Sequence, residues 1–343
     1  MNPNIEQFKI ALKRGKPEYI PTAELGVHPI MKEKLLGRPI ITLKDDVDFW
    51  QKAGYDYIKL QPVADFNPGK LFIQDDSTTT FNDDGTISRK WATEGKGIIT
   101  NWDEFEKYQF PRKEDFDYTR FEQVKSLLPE GMGVIGQYGD IFTMVWELMG
   151  FEEFSYALYE NAGLIDALFD KIGNLVLSMF EYFAQCDAVD VLWYSDDIGY
   201  ISNLMMSPDL LRKYFFPWLA KIGDLAKEYD KPFMYHSDGT LFDAMEDIIA
   251  SGVDALHPIE PKAMDIVEVK KRYGDRLCLI GNLDVGDILS LGSVEDVIKT
   301  VKYNIEHVGY NGGYVAGSGN SIPEYVKYEN YIAMLDAIRE FGR

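Results

Sequence analysis

The sequence predicts an α/β protein that folds as an eight-stranded parallel (β/α)8 barrel, a TIM barrel, with a β-hairpin inserted after strand 2. Short, almost wholly apolar runs alternate along the chain with longer segments of helical periodicity, as expected for strands buried on both faces. The 343 residues are enough for one such barrel. An open doubly wound sheet is the competing prediction. It usually carries a glycine-rich phosphate loop after strand 1, where this chain has Glu24-Leu-Gly-Val-His28.

Strands and helices are predicted in alternation along the whole chain. The predicted strands are residues 19–25, 57–61, 132–137, 189–194, 233–236, 255–257, 277–281 and 314–315. Helical patterns occupy residues 5–14, 30–36, 47–53, 150–185, 208–229 and 323–341. Ser207 and Pro208 are an N-cap and a first-turn proline for the helix after strand 4. Between strands 5 and 6, apolar residues recur near helical spacing from Leu241 to Ile249, and Gly252 follows where a helix would stop.

One segment breaks this alternation. After strand 2, a threonine-rich stretch surrounds Asn82-Asp83-Asp84-Gly85, which is typical of a β-hairpin with an Asp-Gly turn. An isolated hairpin buries too little surface to be stable alone. We therefore predict a single domain over residues 1–343, with residues 68–100 as a hairpin insertion.

The composition excludes several classes of function. The formal net charge of -21 opposes binding to nucleic acid or to an anionic membrane surface, because both are polyanions. The two cysteines, Cys186 and Cys278, stand in apolar contexts and are predicted to be core residues rather than a disulfide or a thiolate metal site. The N-terminus lacks the pattern of a signal peptide, and no apolar run is long enough to span a membrane. The expected location is the cytoplasm.

Polar side chains gather at the carboxyl ends of the predicted strands. In a β/α barrel these ends converge on one mouth, where active sites lie. We expect five of these residues to be catalytic, namely Glu24, Asp196, Asp197, His257 and Glu260. We expect seven to bind substrate, namely His28, Gln61, Gln137, Tyr138, Tyr194, Asn282 and Asn320. A strand-end aspartate also commonly caps the next helix, which is the structural alternative for Asp197 and Asp284.

Two chemistries fit these residues. His236 and Asp238, completed by His257 or Glu260, form a nitrogen and oxygen ligand set that suits zinc or another divalent ion acting as a Lewis acid. Alternatively, histidines and paired carboxylates with shifted pKa values carry out acid–base catalysis without a metal. The spacing of the residues is compatible with both chemistries.

The cations predicted at the mouth are few. The strand-end segments contain no arginine, and only Lys262 and Lys70 are counted as lysines there. A substrate with many carboxylates needs cations to offset their burial. The sequence therefore favours a neutral or cationic ligand, or one whose oxygen meets a metal.

Five segments of the chain resemble the uroporphyrinogen decarboxylase superfamily. They are Asp-Asp-Ile-Gly from Asp196 followed by Ser207-Pro208, His-Ser-Asp-Gly from His236, Gly-Val-Asp-Ala-Leu-His-Pro-Ile-Glu-Pro from Gly252, Tyr-Gly-Asp-Arg-Leu-Cys-Leu-Ile-Gly-Asn-Leu-Asp from Tyr273, and Gly-Gly-Tyr-Val-Ala-Gly-Ser-Gly-Asn-Ser-Ile from Gly312. The similarity covers residues 130–340 well and the N-terminal third loosely. It implies a barrel fold, and an activity among those of the superfamily, which includes decarboxylases and corrinoid-dependent methyltransferases.

The details of the resemblance favour the methyltransferase branch. The decarboxylases carry an arginine-rich segment after strand 1, where this chain has Glu24 to His28. Thiol-methylating members hold zinc with a His-x-Cys pair and a later cysteine; here His236 matches the histidine, Asp238 replaces the first cysteine, and Gly317 or Ser318 stands near the last. This harder set suits an oxygen or nitrogen leaving group.

The resemblance therefore implies a methyltransferase that moves a methyl group from a small O- or N-methyl donor to a corrinoid carried by a partner protein, with His236 and Asp238 holding zinc. A uroporphyrinogen decarboxylase and a non-catalytic corrinoid or small-ligand binder are the alternatives.

Overall fold

The computed structural model describes residues 2–64, 79–81, 87–89 and 97–343. Its main sheet has seven parallel strands in the order β1-β4-β5-β6-β7-β8-β9, as predicted for a β/α barrel. The strands are β1 (Tyr57–Leu60), β4 (Gly133–Gly139), β5 (Val191–Ser195), β6 (Phe233–His236), β7 (Ala255–His257), β8 (Cys278–Ile280) and β9 (Tyr314–Val315). The curled parallel sheet with its helices confirms the predicted fold class.

The first predicted strand is much shorter than residues 19–25. Thr22 forms a parallel bridge with Ala316, just after β9, and no longer strand forms there within the described chain. The N–H of Ala23 donates to Ala316, and the N–H of Ala316 donates to Pro21. Since Pro21 has no N–H of its own, it cannot extend this ladder as a donor. An extended segment thus takes the eighth position of the barrel beside β9.

The helices agree with the predicted pattern, with shifted bounds. They are Ile5–Leu12, Pro29–Leu36, Leu43–Ala53, Trp102–Lys107, Thr119–Val124, Ile141–Met149, Phe151–Glu160, Ala162–Gln185, Pro208–Tyr214, Phe216–Glu228, Met245–Ala250, Ile266–Tyr273, Val294–His307 and Tyr328–Phe341. The region predicted as one helix over 150–185 is interrupted at Asn161, and the one over 208–229 at Phe215. Pro217 explains the second interruption, because it lacks the N–H that a continuous helix needs.

The predicted hairpin is present. β2 (Thr79–Phe81) pairs with β3 (Ile87–Arg89) in an antiparallel ladder that follows β1 in the chain. The predicted turn at Asn82 to Gly85 lies outside the described residues, as does Lys70. The assignment of residues 1–343 to one domain stays a prediction.

The register of the strands separates two faces of the sheet. Tyr194 of β5 lies beside Tyr235 of β6, and both pack on Phe215, between two helices, which makes this the outer face. Alternation along the strands sends Trp193 and His236 to the inner face. The carboxyl ends of this inner face carry the candidate site.

The cysteines and the helices bear on two further predictions. Cys278 is fully buried, and burial raises the pKa of its thiol to about 12, while Cys186 is half-buried; neither forms a disulfide. Among the described residues, no helix combines the length and apolar character needed to cross a membrane.

Candidate functional site

Two histidines face each other at the ends of neighbouring strands. β6 ends at His236 and β7 at His257, and the register places them side by side. Their Nδ1 atoms lie 2.7 Å apart, so one ring donates to the other. Burial lowers the pKa of both imidazoles, and for His257 the neighbouring His236 and Lys59 lower it further. Neutral rings of this kind keep a nitrogen lone pair for a metal near pH 7.

Two carboxylates approach the other ring nitrogen of His236. Its Nε2 lies 3.6 Å from Oδ1 of Asp197 and 3.9 Å from Oδ1 of Asp238. One ligand atom from each of the three residues lies within 4.8 Å of the others. In a tetrahedral zinc site with ligands at about 2.0–2.1 Å, the ligand atoms are about 3.4 Å apart. Asp197, His236 and Asp238, which we call the metal-ligand triad, therefore fit a zinc-type divalent ion.

Hydrogen bonds hold each member of the triad in place. Nδ2 of Asn320 donates to Oδ2 of Asp238 at 2.6 Å, and the backbone N–H of Asp238 donates to Oδ1 of Asp197 at 2.8 Å. His257 contacts Nδ1 of His236, on the other side of the ring from the two carboxylates. Such outer contacts orient metal ligands and fix the tautomer of a ligating histidine. Asn320 thus positions Asp238, and its expected role in substrate binding stays a prediction.

The third residue of the triad differs from the residues expected there, whose part in the ligand set stays a prediction. His257 or Glu260 was predicted to complete the ligand set, but His257 directs Nδ1 to His236 and Glu260 accepts the N–H of Gly239 at 2.8 Å. Within the described chain, the residue that joins His236 and Asp238 is Asp197. The alternative in which Asp197 caps the next helix is wrong, because its carboxylate bonds to Asp238 instead. Asp284 does act as a cap, with Oδ1 accepting the N–H of Asp287.

A lysine that the sequence analysis overlooked lies on the inner face. Nζ of Lys59 donates to the carbonyl of Leu25 and, at 3.2 Å, to Oε1 of Gln137. The same Gln137 oxygen accepts from Nε2 of Gln61, and Gln137 donates to Oγ of Ser195 at 2.9 Å. This amide chain links β1, β4 and β5. Lys59, which lies within β1 and not at its end, adds one cation to the few that were expected.

Two residues expected at the mouth lie on the outer face instead. The hydroxyl of Tyr194 donates to Asp196 at 2.6 Å. Asp196 also accepts the N–H groups of Phe142 and Thr143 and the hydroxyl of Thr143, at the start of the helix Ile141–Met149. These contacts make Asp196 a cap for a helix of the outer layer. Burial raises its pKa, although the four donors oppose that rise.

Tyr138 lies on this same outer face, since it pairs with Tyr194 in the register. Its hydroxyl donates to the carbonyl of Ala64 at 3.0 Å, which ties β4 to the segment after β1. Its expected substrate contact stays a prediction.

Glu24 joins the N-terminal extended segment to the loop that follows β9. It is fully buried, and its carboxyl group accepts the N–H of Ser318 at 2.9 Å and the Ser318 hydroxyl. Burial raises the pKa of Glu24 to about 8, and the Ser318 donors partly oppose this. Glu24 is therefore mostly protonated near pH 7, and its expected catalytic role stays a prediction.

Two further predicted residues, His28 and Asn282, form hydrogen bonds with residues outside the triad. His28 caps the helix Pro29–Leu36, with Nδ1 accepting the N–H of Ile30 at 3.3 Å. Asn282 donates to the carbonyl of Ile259 at 2.7 Å and accepts from Asn304. Their expected roles in substrate binding stay predictions.

Sequence reasoning missed Lys59 and Ser195, and it gave Asp140 no role. Lys59 stands inside an apolar strand, so its position between Ile58 and Leu60 was a usable signal for an inward-facing charge. Asp140 follows β4 in a left-handed conformation, and burial with the nearby charges of Asp196 and Asp197 raises its pKa. Nothing in the sequence around Asp140 marks this environment.

The arginines with described contacts bind away from the triad. Those whose guanidinium contacts are described pair with residues elsewhere: Arg14, Arg38, Arg112, Arg120, Arg212, Arg272, Arg276 and Arg339. Lys262 pairs with Asp284 and Asp287. In the described part of the chain, the inner face thus combines two acidic ligands, neutral histidines and one lysine.

Fold and site together define a β/α-barrel protein with a metal-competent triad at the carboxyl ends of its strands. The comparison with protein families narrows this class. The uroporphyrinogen decarboxylase (URO-D) family model matches residues 93–341, most of the chain. The chain belongs to the uroporphyrinogen decarboxylase family, as its motifs predicted.

Curated relatives carry the family name at low identity. A uroporphyrinogen decarboxylase from Coxiella burnetii is 25% identical over 190 residues, which is 54% of this chain and 50% of that enzyme. One from Anaeromyxobacter sp. is 22% identical over 232 residues, 64% of this chain and 62% of that enzyme. The match thus spans about half to two thirds of the length of these relatives.

A solved structure supports the fold over nearly the whole chain. A methyltransferase from Methanosarcina mazei superposes with a TM-score of 0.68 at 17% identity, covering 98% of both chains. At this identity the likeness shows the barrel architecture alone.

Proposed function

We propose that this protein is a methyltransferase that moves a methyl group from a small O- or N-methyl donor to a corrinoid carried by a partner protein. The observation that carries the proposal is the triad of Asp197, His236 and Asp238 at the mouth of the barrel. Its ligand atoms are nitrogen and oxygen, which suit a hard or borderline divalent ion such as zinc.

Each residue of the triad has a defined task in this proposal. Asp197, His236 and Asp238 would hold the ion, and His257 would keep His236 in the tautomer that presents Nε2. A bound ion would supply a Lewis acid for the donor oxygen or nitrogen, which keeps the electron pair when its bond to the methyl carbon breaks. Asn320 would keep the carboxylate of Asp238 in place through its hydrogen bond.

Two further findings support a methyltransferase. The arginines with described contacts lie elsewhere, so the described residues of the inner face do not provide the several cations that a polycarboxylate needs. The Methanosarcina mazei protein that shares the barrel over 98% of both chains is named a methyltransferase. The corrinoid-binding partner is part of the proposal and rests on the family resemblance.

Metal content and methyl transfer test the proposal. Purified protein is expected to bind one zinc per chain, and the variant His236→Ala to bind none. With cob(I)alamin as acceptor, a panel of methoxy and methylamine compounds should include a donor that methylates it only in the presence of zinc-loaded protein. His307→Ala is the matched control, because His307 is an exposed residue at the end of the helix Val294–His307 and contacts Tyr303. A protein with no zinc, or equal metal binding in both variants, overturns the proposal.

The second candidate is a decarboxylase of the porphyrinogen type. The curated relatives, named uroporphyrinogen decarboxylases, favour it. Release of carbon dioxide from uroporphyrinogen by metal-free protein, without methyl transfer to cob(I)alamin, identifies this activity.

A further inference from the structure

Lys59 is a buried ammonium group without a counter-ion. Its hydrogen-bond partners, the carbonyl of Leu25 and the amide oxygen of Gln137, are both uncharged. Among the described residues, no carboxylate lies within ion-pair distance of its Nζ. Burial, together with the charge of Lys32, lowers the pKa of Lys59 to about 7, and Asp46 opposes this change. Burial without a charged partner thus disfavours the protonated amine, and a bound anion would favour it.

Lys59 and its neighbours on the inner face keep some contact with solvent. The residue is enclosed by protein, yet part of its surface stays accessible to solvent. Gln137 and His236, on the same inner face, also retain a small accessible fraction of 5% each. Nζ lies 5.8 Å from the ring centroid of Trp193, and its charge acts on both His236 and His257. Lys59 and the metal-ligand triad therefore line the same interior.

Two buried nitrogens beside Lys59 also lack partners. Nε1 of Trp193 and Nε2 of His257 make no hydrogen bond with any described residue, and the two rings are in edge contact at 5.3 Å. Buried polar atoms in native proteins nearly always have a partner. The Trp193 nitrogen is a donor only, so it lacks an acceptor.

We propose that Lys59, positioned by Gln137 and with Trp193 beside it, is a subsite for a single carboxylate of the substrate. Resting on the proposed function, this makes the methyl donor a small monoanion: its carboxylate meets Lys59, and its methyl-bearing oxygen or nitrogen faces Asp197, His236 and Asp238. Lys59 is the one cation described on this inner face, so it can offset the charge of a single carboxylate. Gln61 and Ser195 fix the amide of Gln137, which keeps its oxygen towards Lys59.

Matched acid and amide probes test the subsite. Titration calorimetry compares methoxyacetate with methoxyacetamide, and 4-methoxybenzoate with 4-methoxybenzamide, on zinc-loaded and on chelated protein. An acid is expected to bind roughly tenfold more tightly than its amide, because a charge-assisted hydrogen bond replaces a neutral one. Lys59→Met should abolish this preference and leave amide binding unchanged, and Lys59→Arg should restore part of it.

The control variant is Lys44→Met, which removes an exposed lysine paired with Asp48 and should keep the preference. Lys59→Met is expected to fold, since an apolar side chain replaces an unpaired buried cation, and circular dichroism checks this. Equal affinity for acid and amide, an equal loss of both in Lys59→Met, or no detectable binding of either acid overturns the subsite. Because chelated protein is titrated as well, absence of zinc refutes the methyltransferase proposal without removing the acid preference.

Discussion

The variant Glu24→Gln tests the burial of a protonated carboxyl group where the N-terminal segment contacts the loop after β9. Glu24 is fully buried against Ser318, and burial raises its pKa from 4.5 to about 8. Between these values the folded protein holds a proton that the unfolded chain releases. The stabilisation from this group is complete below pH 4.5 and is lost as the pH rises towards 8. Glutamine keeps the carbonyl acceptor for Ser318 and has no proton to lose.

The magnitude follows from the two pKa values. Linkage gives a decrease in the free energy of unfolding of about 0.8 kcal/mol at pH 5 and about 3.3 kcal/mol at pH 7, a difference of about 2.5 kcal/mol. For a chain of 343 residues, an unfolding entropy of about 0.7 kcal/mol/K converts this into about 3–4 °C. The melting temperature of Glu24→Gln, relative to the unmodified protein, should therefore be about 3–4 °C higher at pH 7 than at pH 5.

Differential scanning fluorimetry at several pH values between 5 and 8 measures this difference. Glu130→Gln, at an exposed glutamate, is the control and should run parallel to the unmodified protein at every pH. If the melting temperature of Glu24→Gln also changes with pH in parallel with that of the unmodified protein, the carboxyl group is ionised in the folded protein or accessible to water. The packing of Glu24 against Ser318 is then not as described.

Three further predictions concern packing, capping and metal. Gly223→Ala should destabilise the protein by about 2 kcal/mol or more, because its Cβ would lie 1.9 Å from the carbonyl oxygen of Ser251. Gly163 is a helical position where an added Cβ meets no atom closer than 3.6 Å, so Gly163→Ala should stabilise the protein by up to about 1 kcal/mol. Urea denaturation compares the two variants, and equal changes in their free energies of unfolding contradict the described packing of Gly223. Asp196→Asn should lower the melting temperature by about 3 °C, as buried donors lose their acceptor, and an unchanged value excludes its capping role. Removing zinc with a chelator should lower the melting temperature of the unmodified protein but not of His236→Ala, and no effect on either argues against metal binding.

Hydrophobic periodicity predicted the fold because each strand of a parallel barrel is apolar on both faces and each helix carries an apolar stripe. The positions of β4 to β9 matched these patterns closely. The predicted N-terminal strand does not form at its full length, because Pro21 has no N–H to donate to the ladder that the apolar pattern implied. Helix interruptions were likewise set by local backbone chemistry, as at Pro217, rather than by the apolar stripe.

The site was only partly predictable for a different reason. His236 and Asp238 were found because they close a strand, and strand ends converge in a barrel. Asp197 joined them through its contact with Asp238, whereas Asp196, one residue earlier, faces the outer helices. Continuing the alternation of β5 past Ser195 puts Asp196 on the outer face and Asp197 on the inner face. Convergence of strand ends, which treats both residues as part of the mouth, does not make this distinction.

The sequence by itself determined the barrel, its family and the strand ends that carry the polar residues, because hydrophobic periodicity and motif order are properties of the chain. Only the tertiary structure decided that Asp197 completes the triad, that His257 stands behind His236, and that Lys59 points inward. These relations join strands far apart in the chain. Register and side-chain packing between strands set them, and neither is written in local spacing.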